Sequence, residues 1–412
     1  MPARPSSPIP AVLAKLGPLD PESITDLRPY LDTVPDPRSP RGRWHALTCI
    51  LLVCACAIIS GAKSIDELAE WGQRAHLSVL AALGARPHPL AWRRSPSAPT
   101  IDRVLARIDG DALDAAIGAY LADRHQATAD QAEGEDTPRP RRPAIALDGK
   151  ALKGSARLGQ RCRHLLSAIT HHRPITLAQT EVGAKTGETR HFRPLLRDLD
   201  LAGCVVTFDA LHTVKDHLSW LVGTKEAHYI AVIKTNQPLA HQQISGLPWS
   251  QATIAYTRSE TGHGRVESRS IKVMAIADSL GGIAFPHAKL AIRVHRRRRQ
   301  RGKKQTRETV YALTSLDAHQ ATPAELAAYL RGQWAIENSS HHIRDVTFAE
   351  DACTVHAGNA PRALAALRNL ANGVLHTLRA DNIAKTTRAI RDLPERALPF
   401  FGISYEPDPS GT

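Results

Sequence analysis

The 412-residue chain lacks the patterns of secreted, zinc-stabilised or membrane proteins. It has six cysteines and no Cys-x-x-Cys pair, so we expect no zinc ribbon and predict buried, reduced thiols of a cytosolic protein. The polar, proline-rich first residues do not have the pattern of a secretory signal peptide. The most apolar run, 46–59, is shorter than the ~20 residues of a membrane-spanning helix. We therefore expect this run to form a buried helix.

Acidic residues are also in deficit. The chain has 53 Lys and Arg against 40 Asp and Glu, a net charge of +13 and a pI of about 9.7. This balance favours a polyanionic partner, although a basic surface can also serve solubility alone. Nucleic acid is the better candidate than a membrane, because no amphipathic basic helix with aromatic anchors is present. The hydrophobic fraction of 42% supports a real core, and the length allows two or three domains.

Helical periodicity dominates the first part of the chain. Residues 1–43 are proline-rich, with one short helix expected near 11–16. Helices are then predicted at 46–60, 64–82, 100–108 and 110–124. Ser64 and Glu67 have capping-box spacing, and Thr100 is a candidate N-cap. The sequence thus predicts a small all-α domain at 1–125, followed by a linker at 126–142 whose polar composition cannot bury much surface.

The pattern changes to strands after the linker. We predict strands at 143–148, 164–171, 175–183, 204–209 and 229–234, with helices at 191–199 and 214–224. The resulting order β-β-β-α-β-α-β is that of a ribonuclease-H-like sheet, an antiparallel meander followed by parallel strands. The predicted fold class is α/β, with the core at 143–240 and 317–380 and a tail at 381–412.

A β-insertion is predicted between the two halves of this core, at 241–316. Its expected strands are 252–258, 265–275, 288–295 and 308–315, and they flank a basic hairpin tip at 296–304. Helices are predicted to resume at 322–345 and 360–379. Along the alternating segment that starts at Gly262, His263, Arg265, Glu267 and Arg269 should share one strand face, which is either solvated or used.

Three acidic residues carry the chemistry that this order predicts. Asp148 and Asp209 each end an apolar run expected to be a buried strand, and strands one and four are neighbours in a ribonuclease-H-like order. Carboxylates at neighbouring strand ends repel unless a cation lies between them. Glu337 lies in a predicted helix and could be the third acid, with Glu350 and Asp351 as rivals. Such a triad can hold two divalent metal ions and drive phosphoryl transfer. The alternative for each acid is a turn or a solvated helix end.

Basic and polar residues near these acids are candidate DNA contacts. Arg344 follows Glu337 by seven residues, two helical turns along the same face, where it could hold a phosphate. Trp334 could stack on an unpaired base, although a helical tryptophan is more often core. His212 could equally be a surface histidine. The full set of candidates is Lys150, Lys153, His212, Lys234, Asn236, Gln237, His263, Arg265, Arg269, Arg297, Arg298, Arg331, Trp334 and Arg344.

Together these segments resemble the DDE transposases of insertion sequences, in particular the H-repeat-associated group. The resemblance covers nearly the whole chain and rests on short motifs in a fixed order. In the N-terminal part they are Asp36-Pro-Arg38, Arg41-Gly-Arg43 and His45. In the remainder they begin at Ala146, Phe208, Lys234, Gly262, Trp334 and Asp345. The wider class carries a Tyr-x2-Arg-x3-Glu-x6-Lys signature around its glutamate, whereas this chain has Gln333 at the arginine position and Arg344 at the lysine position.

The resemblance implies a DNA transposase with Asp148, Asp209 and Glu337 as the metal-binding triad. It implies Mg²⁺ as cofactor, with Mn²⁺ as a substitute, and cleavage and joining of DNA in recombination. The expected partners are the terminal inverted repeats of the element and target DNA, bound by a homodimer in the bacterial cytoplasm at the nucleoid. Two alternatives stay open: a metal-dependent nuclease or resolvase of the same fold, and a domesticated DNA-binding protein without catalysis.

Overall fold

The computed structural model describes residues 10–16, 19, 24–41, 43–88, 92–130, 142–157, 161–183, 187–262, 264–276, 282–300 and 302–405. The helices within these ranges are α1 (Ala11–Ala14), α2 (Arg28–Leu31), α3 (Leu47–Ile59), α4 (Ile65–Arg74), α5 (Leu77–Ala82), α6 (Ala98–Arg107), α7 (Gly110–Asp130), α8 (Phe192–Leu196), α9 (Lys215–Gly223), α10 (Pro238–Ser245), α11 (Pro323–Ile336), α12 (His342–Val346), α13 (Ala360–Thr377) and α14 (Ile383–Arg391). The strands are β1 (Ala144–Leu152), β2 (Arg163–Thr170), β3 (Thr176–Val182), β4 (Val205–Phe208), β5 (His228–Ile233), β6 (Tyr256–Gly262), β7 (Arg265–Ala275), β8 (Leu290–Gln300) and β9 (Thr306–Thr314).

The N-terminal helices follow the predicted order with shifted ends. The side chain of Ser64 accepts the backbone N–H of Glu67 and caps α4, as its spacing predicts. The single helix expected at 64–82 is two helices, because Ala75 is extended and ends α4. Thr100 is not an N-cap, since α6 begins at Ala98 with a proline in its first turn.

Helix α3 is apolar on all sides, and nearly all of its residues are buried. No helix in the described part of the chain is long and apolar enough to cross a membrane. All six cysteines are free thiols; those of α3 are buried, and burial raises the pKa of Cys49 to about 12. Cys162, Cys204 and Cys353 are partly exposed, so only half of the thiols are buried as expected.

The strands form one nine-stranded sheet in the order β3-β2-β1-β4-β5-β9-β8-β7-β6. Strands β1, β2 and β3 pair antiparallel, whereas β4 pairs parallel to both β1 and β5. The antiparallel meander, the parallel half and the contact between strands one and four are therefore confirmed. This arrangement is the ribonuclease-H-like order that the sequence predicts.

The predicted β-insertion extends the same sheet rather than forming a separate layer. Strand β9 pairs antiparallel to β5, and β8, β7 and β6 follow as an antiparallel meander. The basic run predicted as a hairpin tip lies mostly within β8, which extends to Gln300. Helix α10, between β5 and β6, was not predicted.

The helical part of the molecule is built from both ends of the chain. Helix α13 is buried along nearly its whole length in the same core cluster as α3, α6 and α7. The C-terminal segment Pro394–Phe401 adds Leu398, Phe400 and Phe401 to that cluster. The helices of the predicted all-α region at 1–125 therefore share their core with C-terminal residues. Helix α7 also extends into the predicted linker, and residues 131–141 lie outside the described part.

Candidate active site

Asp148 and Asp209 follow paired residues on two parallel strands. Leu147 of β1 lies opposite Phe208 of β4, so the next residue on each strand is an aspartate. Strand β4 ends before Asp209, whereas β1 continues beyond Asp148 to Leu152 through its pairing with β2. The side chain of Asp209 accepts the backbone N–H of Leu211 at 2.9 Å, which fixes the turn after β4. The sheet thus brings the two predicted carboxylates side by side at one edge.

Glu337 lies at the point where a regular helix becomes a π-helical turn. Helix α11 begins with a capping box, in which Thr322 and Glu325 bond each other's backbone N–H groups. Its regular turns end at Ile336, and Glu337–His341 form a π-helical turn before α12. Such turns are uncommon and occur often at functional sites. The helix packs on β1 and β4 and carries Glu337 to their carboxyl edge.

Gln333 holds this helix against both aspartate-bearing strands. Its amide nitrogen donates to the carbonyl of Leu147 at 3.1 Å, and its amide oxygen accepts the hydroxyl of Thr207 at 2.6 Å. Leu147 directly precedes Asp148, Thr207 lies two residues before Asp209, and Gln333 lies one helical turn before Glu337. The buried side chain of Gln333 therefore links α11, which leads to Glu337, to the two strands that lead to Asp148 and Asp209.

The carboxylates interact strongly across this edge. Burial, with smaller contributions from the charges of Asp209, Glu337 and Glu188, raises the pKa of Asp148 to about 7, although the backbone N–H of Gly149 opposes the shift. The nearest candidate for a compensating charge is His341, whose ring lies 3.7 Å from Asp148. Burial, together with the charges of Arg344 and Lys150, lowers the pKa of His341 to about 3. The histidine is neutral at neutral pH, so it does not compensate the carboxylates.

The site fits divalent metal ions by chemistry and by charge. Carboxylate oxygens are the ligands that Mg²⁺ prefers, and a cation between the acids would relieve their repulsion. Across the described residues, no three His, Cys, Asp or Glu side chains are already close enough to form a complete metal site. The carboxylates thus lie at one edge of the sheet, but the described side chains do not form a complete set of metal ligands.

Glu188 is a fourth acid that sequence reasoning missed. It lies in a short 3₁₀ turn before α8 and bonds the rings of His164 at 2.5 Å and His212 at 3.2 Å. The hydrogen bond from His212 lowers the pKa of Glu188 despite partial burial. A Cβ at Gly149 would lie about 3.0 Å from the carboxylate, so the glycine allows this close approach. No sequence motif surrounds Glu188, and only the folded contact reveals it.

His212 and two residues after β5 make hydrogen bonds next to the acids. His212 is buried between Glu188 and the ring of Phe192, so it is not the surface histidine of the alternative, and it offers almost no surface for the predicted DNA contact. Asn236 donates to the carbonyl of Ala210, and Gln237 to that of Thr213, so both hold the turn after Asp209. Lys234 is exposed beside them.

Several predicted DNA contacts are instead ion-paired inside the protein. Lys150 is buried and bonds Asp345 at 2.7 Å, and Lys153 bonds Asp351 at 2.7 Å. Arg344 is fully buried and donates to Glu350 at 2.7 Å, which leaves no surface of Arg344 open to a phosphate. These pairs also engage both rivals for the third acid, whereas Glu337 is the one whose charge acts on Asp148.

The insertion faces α11 across a cleft beside Glu337. A cavity of about 430 Å³ lies between β6, β7 and α11 and is lined by Arg269, Arg331 and Trp334. Arg269 lies over the ring of Trp334, 5.7 Å from its centroid, and Arg331 bonds Glu260. Glu267 pairs with Arg269, Arg265 and Arg296. The predicted arginines of this face are therefore together, and each has a carboxylate neighbour.

The remaining candidates lie on the outer strands. Arg297 and Arg298 are adjacent residues of β8, and Arg297 is the more exposed of the two. His263 lies outside the described residues.

Comparisons with known proteins find relatives over most of the chain. Residues 29–121 match the family described as DDE_Tnp_1-associated, and residues 139–371 match the family described as transposase DDE domain. "Putative transposase YncI" of Escherichia coli O157:H7 is 28% identical over 364 residues, which cover 86% of this chain and 88% of the relative. "H repeat-associated putative transposase YhhI" of Escherichia coli K12 is 27% identical, with 85% and 90% covered.

Among solved structures, a piggyBac transposase synaptic complex with hairpin DNA matches with a TM-score of 0.40 and 11% identity. The match covers 97% of this chain and 83% of that one. A likeness this distant carries no weight for the fold or the site.

Proposed function

The chain belongs to the transposase DDE domain family, and from that premise we propose that it cleaves the ends of an insertion sequence and joins the 3′-OH to target DNA. The observation that carries this proposal is the convergence of Asp148, Asp209 and Glu337 from β1, β4 and the end of α11. Burial and the charges of the neighbouring acids both raise the pKa of Asp148, and a divalent cation bound between the acids would stabilise their charged forms where phosphoryl transfer needs it.

The carboxylates of Asp148, Asp209 and Glu337 would hold two Mg²⁺ ions, or Mn²⁺ in their place. Bound there, the ions would activate the attacking hydroxyl and stabilise the leaving oxygen. Gln333, Asn236 and Gln237 hold the backbone around the acids, and Glu188 adds negative charge beside Asp148. The protein's own contribution is thus a rigid frame for the carboxylates.

The DNA partners would be the terminal inverted repeats of the element and a target duplex. Lys234 follows β5, the parallel neighbour of β4, and Arg265, Arg269 and Arg331 line a cavity with Asn338, the residue after Glu337. These residues and the net charge of +13 favour a polyanion at this site. Two ends must be cut and joined together, so we infer a homodimer on DNA.

The test is cleavage and strand transfer on labelled duplexes that carry the element's own ends, with Mg²⁺ and with Mn²⁺. The isosteric variants Asp148→Asn, Asp209→Asn and Glu337→Gln should each lose activity on the order of 10³-fold, the rate effect of about 4 kcal/mol of transition-state stabilisation. DNA binding, measured by fluorescence anisotropy, should persist in all three.

Asp351→Asn is the matched control, because it also removes one acid of the same region, one that pairs with Lys153. It should keep most activity. Full activity in Glu337→Gln with loss in Asp351→Asn would move the third ligand and refute this assignment. Cleavage by the wild type without joining would identify a nuclease, and binding without any cut would identify a DNA-binding protein.

A further inference from the structure

A second basic surface lies far along the chain from the acids, on the N-terminal helices. It is a groove of about 680 Å³ formed by the loop before α3, the segment before α6, and α6 itself. Among the described residues, no Asp or Glu lines the groove. Four exposed arginines do: Arg41, Arg94, Arg103 and Arg107. We call this surface the N-terminal arginine groove.

Hydrogen bonds of Arg38 and Arg43 fix the conformation of the loop that carries Arg41. Arg38 bonds the carboxylate of Asp36 at 2.8 Å and also donates to the carbonyl of His45 at 2.8 Å. Arg43 donates to the carbonyl of Ser39 at 3.0 Å. Arg38 and Arg43 therefore shape the loop, and Arg41 is left projecting from it with no ion pair in the described structure.

Aromatic rings form the floor and rim of the groove. The rings of His88 and Trp92 stack at 3.8 Å, and Arg94 lies over Trp92 at 4.3 Å. Trp44 is 40% exposed and lies 5.8 Å from His88. Trp44 is exposed among arginines for which the described residues show no ion pair, although Arg103 donates to the carbonyl of Pro99 at 2.9 Å. Cations beside flat rings are the combination that proteins use to hold nucleic-acid backbones and sugars.

The groove is connected to the active site through directly bonded segments. The carbonyl of Ala106, next to Arg107, accepts the backbone N–H of Asn359 at 2.9 Å. Arg163 of β2 donates to the carbonyl of the adjacent Gly358 and lies opposite Leu152 of β1. At roughly 3.3 Å per residue, the four residues from Leu152 back to Asp148 extend about 13 Å. The other steps of this path are single hydrogen bonds, one arginine side chain and one strand pairing, so the whole path from Arg107 to Asp148 is shorter than a duplex of 30 base pairs, which is about 100 Å long.

From this charge, exposure and connection we propose that the N-terminal arginine groove binds the phosphate backbone of the duplex DNA on which the active site acts. The inference rests on the proposed function for the identity of the duplex. Neither the catalytic acids nor the arginines of the β-insertion take part in it. Each arginine is a candidate for one phosphate contact, and the groove thereby adds affinity independent of base sequence.

The experiment compares two triple variants of the full chain. Arg94→Gln, Arg103→Gln and Arg107→Gln remove three charges from the groove, whereas Arg74→Gln, Arg388→Gln and Arg391→Gln remove three exposed arginines elsewhere on the helical part. Binding of a fluorescein-labelled 30-base-pair duplex of arbitrary sequence would be measured from 50 to 200 mM NaCl. The groove variant should lower the slope of log Kd against log salt by about 3, one for each lost contact.

The control variant should retain nearly the wild-type slope. Equal slopes for the two triple variants would overturn the proposal, and so would a groove variant that loses only single-stranded DNA binding. Thermal unfolding checks that both variants fold, and the single variant Arg107→Gln, with an expected slope change of about 1, decides the question if the triple variant does not fold.

The two proposals fail in different ways. Asp148→Asn should bind the duplex with the wild-type salt slope, because it leaves the groove intact. A wild type that binds without cleaving would refute the proposed function and leave the groove standing. A groove triple variant that binds and cleaves like the wild type would refute the groove alone.

Discussion

Gln333 shows how one side chain can fix the relative position of three elements. Burial lowers the pKa of His171 to about 4, so its ring is neutral at neutral pH. Because the single hydroxyl proton of Thr207 goes to Gln333, the ring Nε2–H of His171 donates to Thr207 at 2.8 Å. The chain from His171 through Thr207 and Gln333 to Leu147 thus has a defined direction, with every buried donor matched to an acceptor.

Gln333→Met keeps the volume of this side chain and removes both hydrogen bonds. It leaves the Leu147 carbonyl and the Thr207 hydroxyl unpaired, which should cost about 1–3 kcal/mol for each group left unsatisfied. The strands that lead to Asp148 and Asp209 would lose their hydrogen bonds to the helix that leads to Glu337. We expect slower cleavage with an unchanged DNA Kd, and a higher Mg²⁺ concentration for half-maximal rate. Single-turnover cleavage across a Mg²⁺ titration is the measurement.

Thr207→Val is the graded control, since it keeps the bond from Gln333 to Leu147 and removes the bonds of Thr207 to Gln333 and to His171. Its cleavage rate and Mg²⁺ requirement should lie between those of the wild type and Gln333→Met. A Gln333→Met protein that is destabilised yet has the wild-type Mg²⁺ requirement would show that the residue supports the fold and not the geometry of the acids.

At the scale of elements, sequence patterns predict what local periodicity decides. The apolar runs before Asp148 and Asp209 are sufficient to place two buried strands and to predict that their ends meet. Arg344 was expected on the face of Glu337 because seven residues make two turns of a regular helix. The wider π-helical turn at Glu337–His341 changes that phase, and Arg344 faces inward to Glu350. A π-turn has no simple residue signature, so its consequence could not be predicted.

The role of Glu188 and the burial of α13, a helix that the sequence does predict, could not be read from the sequence for a different reason. The carboxylate of Glu188 lies beside Gly149, where a Cβ would be only about 3.0 Å from it, and its charge acts on Asp148. Helix α13 carries Arg362, Asn369 and other polar residues that suggest a half-exposed helix, yet it is buried. Those groups find partners far away in sequence: Arg362 bonds Asp114 at 2.8 Å, and Asn369 bonds Gln179 at 2.8 Å. Such pairing depends on the assembled fold.

Helix α7 approaches the sheet through a glycine. A Cβ at Gly118 would lie 2.2 Å from the carbonyl oxygen of Leu177 on β3, a distance at which one backbone must move. Gly118→Ala should therefore lower the free energy of unfolding by about 1–3 kcal/mol, the usual effect of overpacking. Urea denaturation followed by circular dichroism measures the change.

Gly223→Ala is the matched control, because it adds the same methyl group at the end of α9 with no atom within 4 Å. It should be neutral or stabilising by about 0.5–1 kcal/mol. An equal effect of the two substitutions would mean that the contact between α7 and β3 is not tightly packed.

At the scale of the whole molecule, the two ends of the chain form one helical core. The backbone N–H of Leu27 donates to the carbonyl of Phe401 at 3.1 Å, and Arg124 donates to the carbonyl of Phe400 at 2.8 Å. Helix α13 runs beside α7 in the same direction, with Arg362 near Gly110 and Gly373 near Leu121. The sheet with its acids is therefore inserted between two halves of a single helical core.

This architecture predicts that residues 1–130 alone do not fold, although they contain seven helices in the described structure. Without α13 and Pro394–Phe401, the apolar faces of α3, α6 and α7 have no cover. Joining 1–130 to 355–405 through a flexible linker should restore a helical fold. Because α7 is about 31 Å long and ends far from the start of α13, a Gly/Ser linker of about 30 residues is needed to return along it.

Thermal unfolding followed by circular dichroism distinguishes the two chains. The joined chain should melt cooperatively, whereas 1–130 should show weak helicity and no transition. A Phe401→Ala change in the joined chain should lower its free energy of unfolding by about 3–5 kcal/mol, because this ring is fully buried against the N-terminal helices. A cooperative transition in 1–130 alone would show that the N-terminal helices form a domain without the C-terminal segment, as the sequence first suggested.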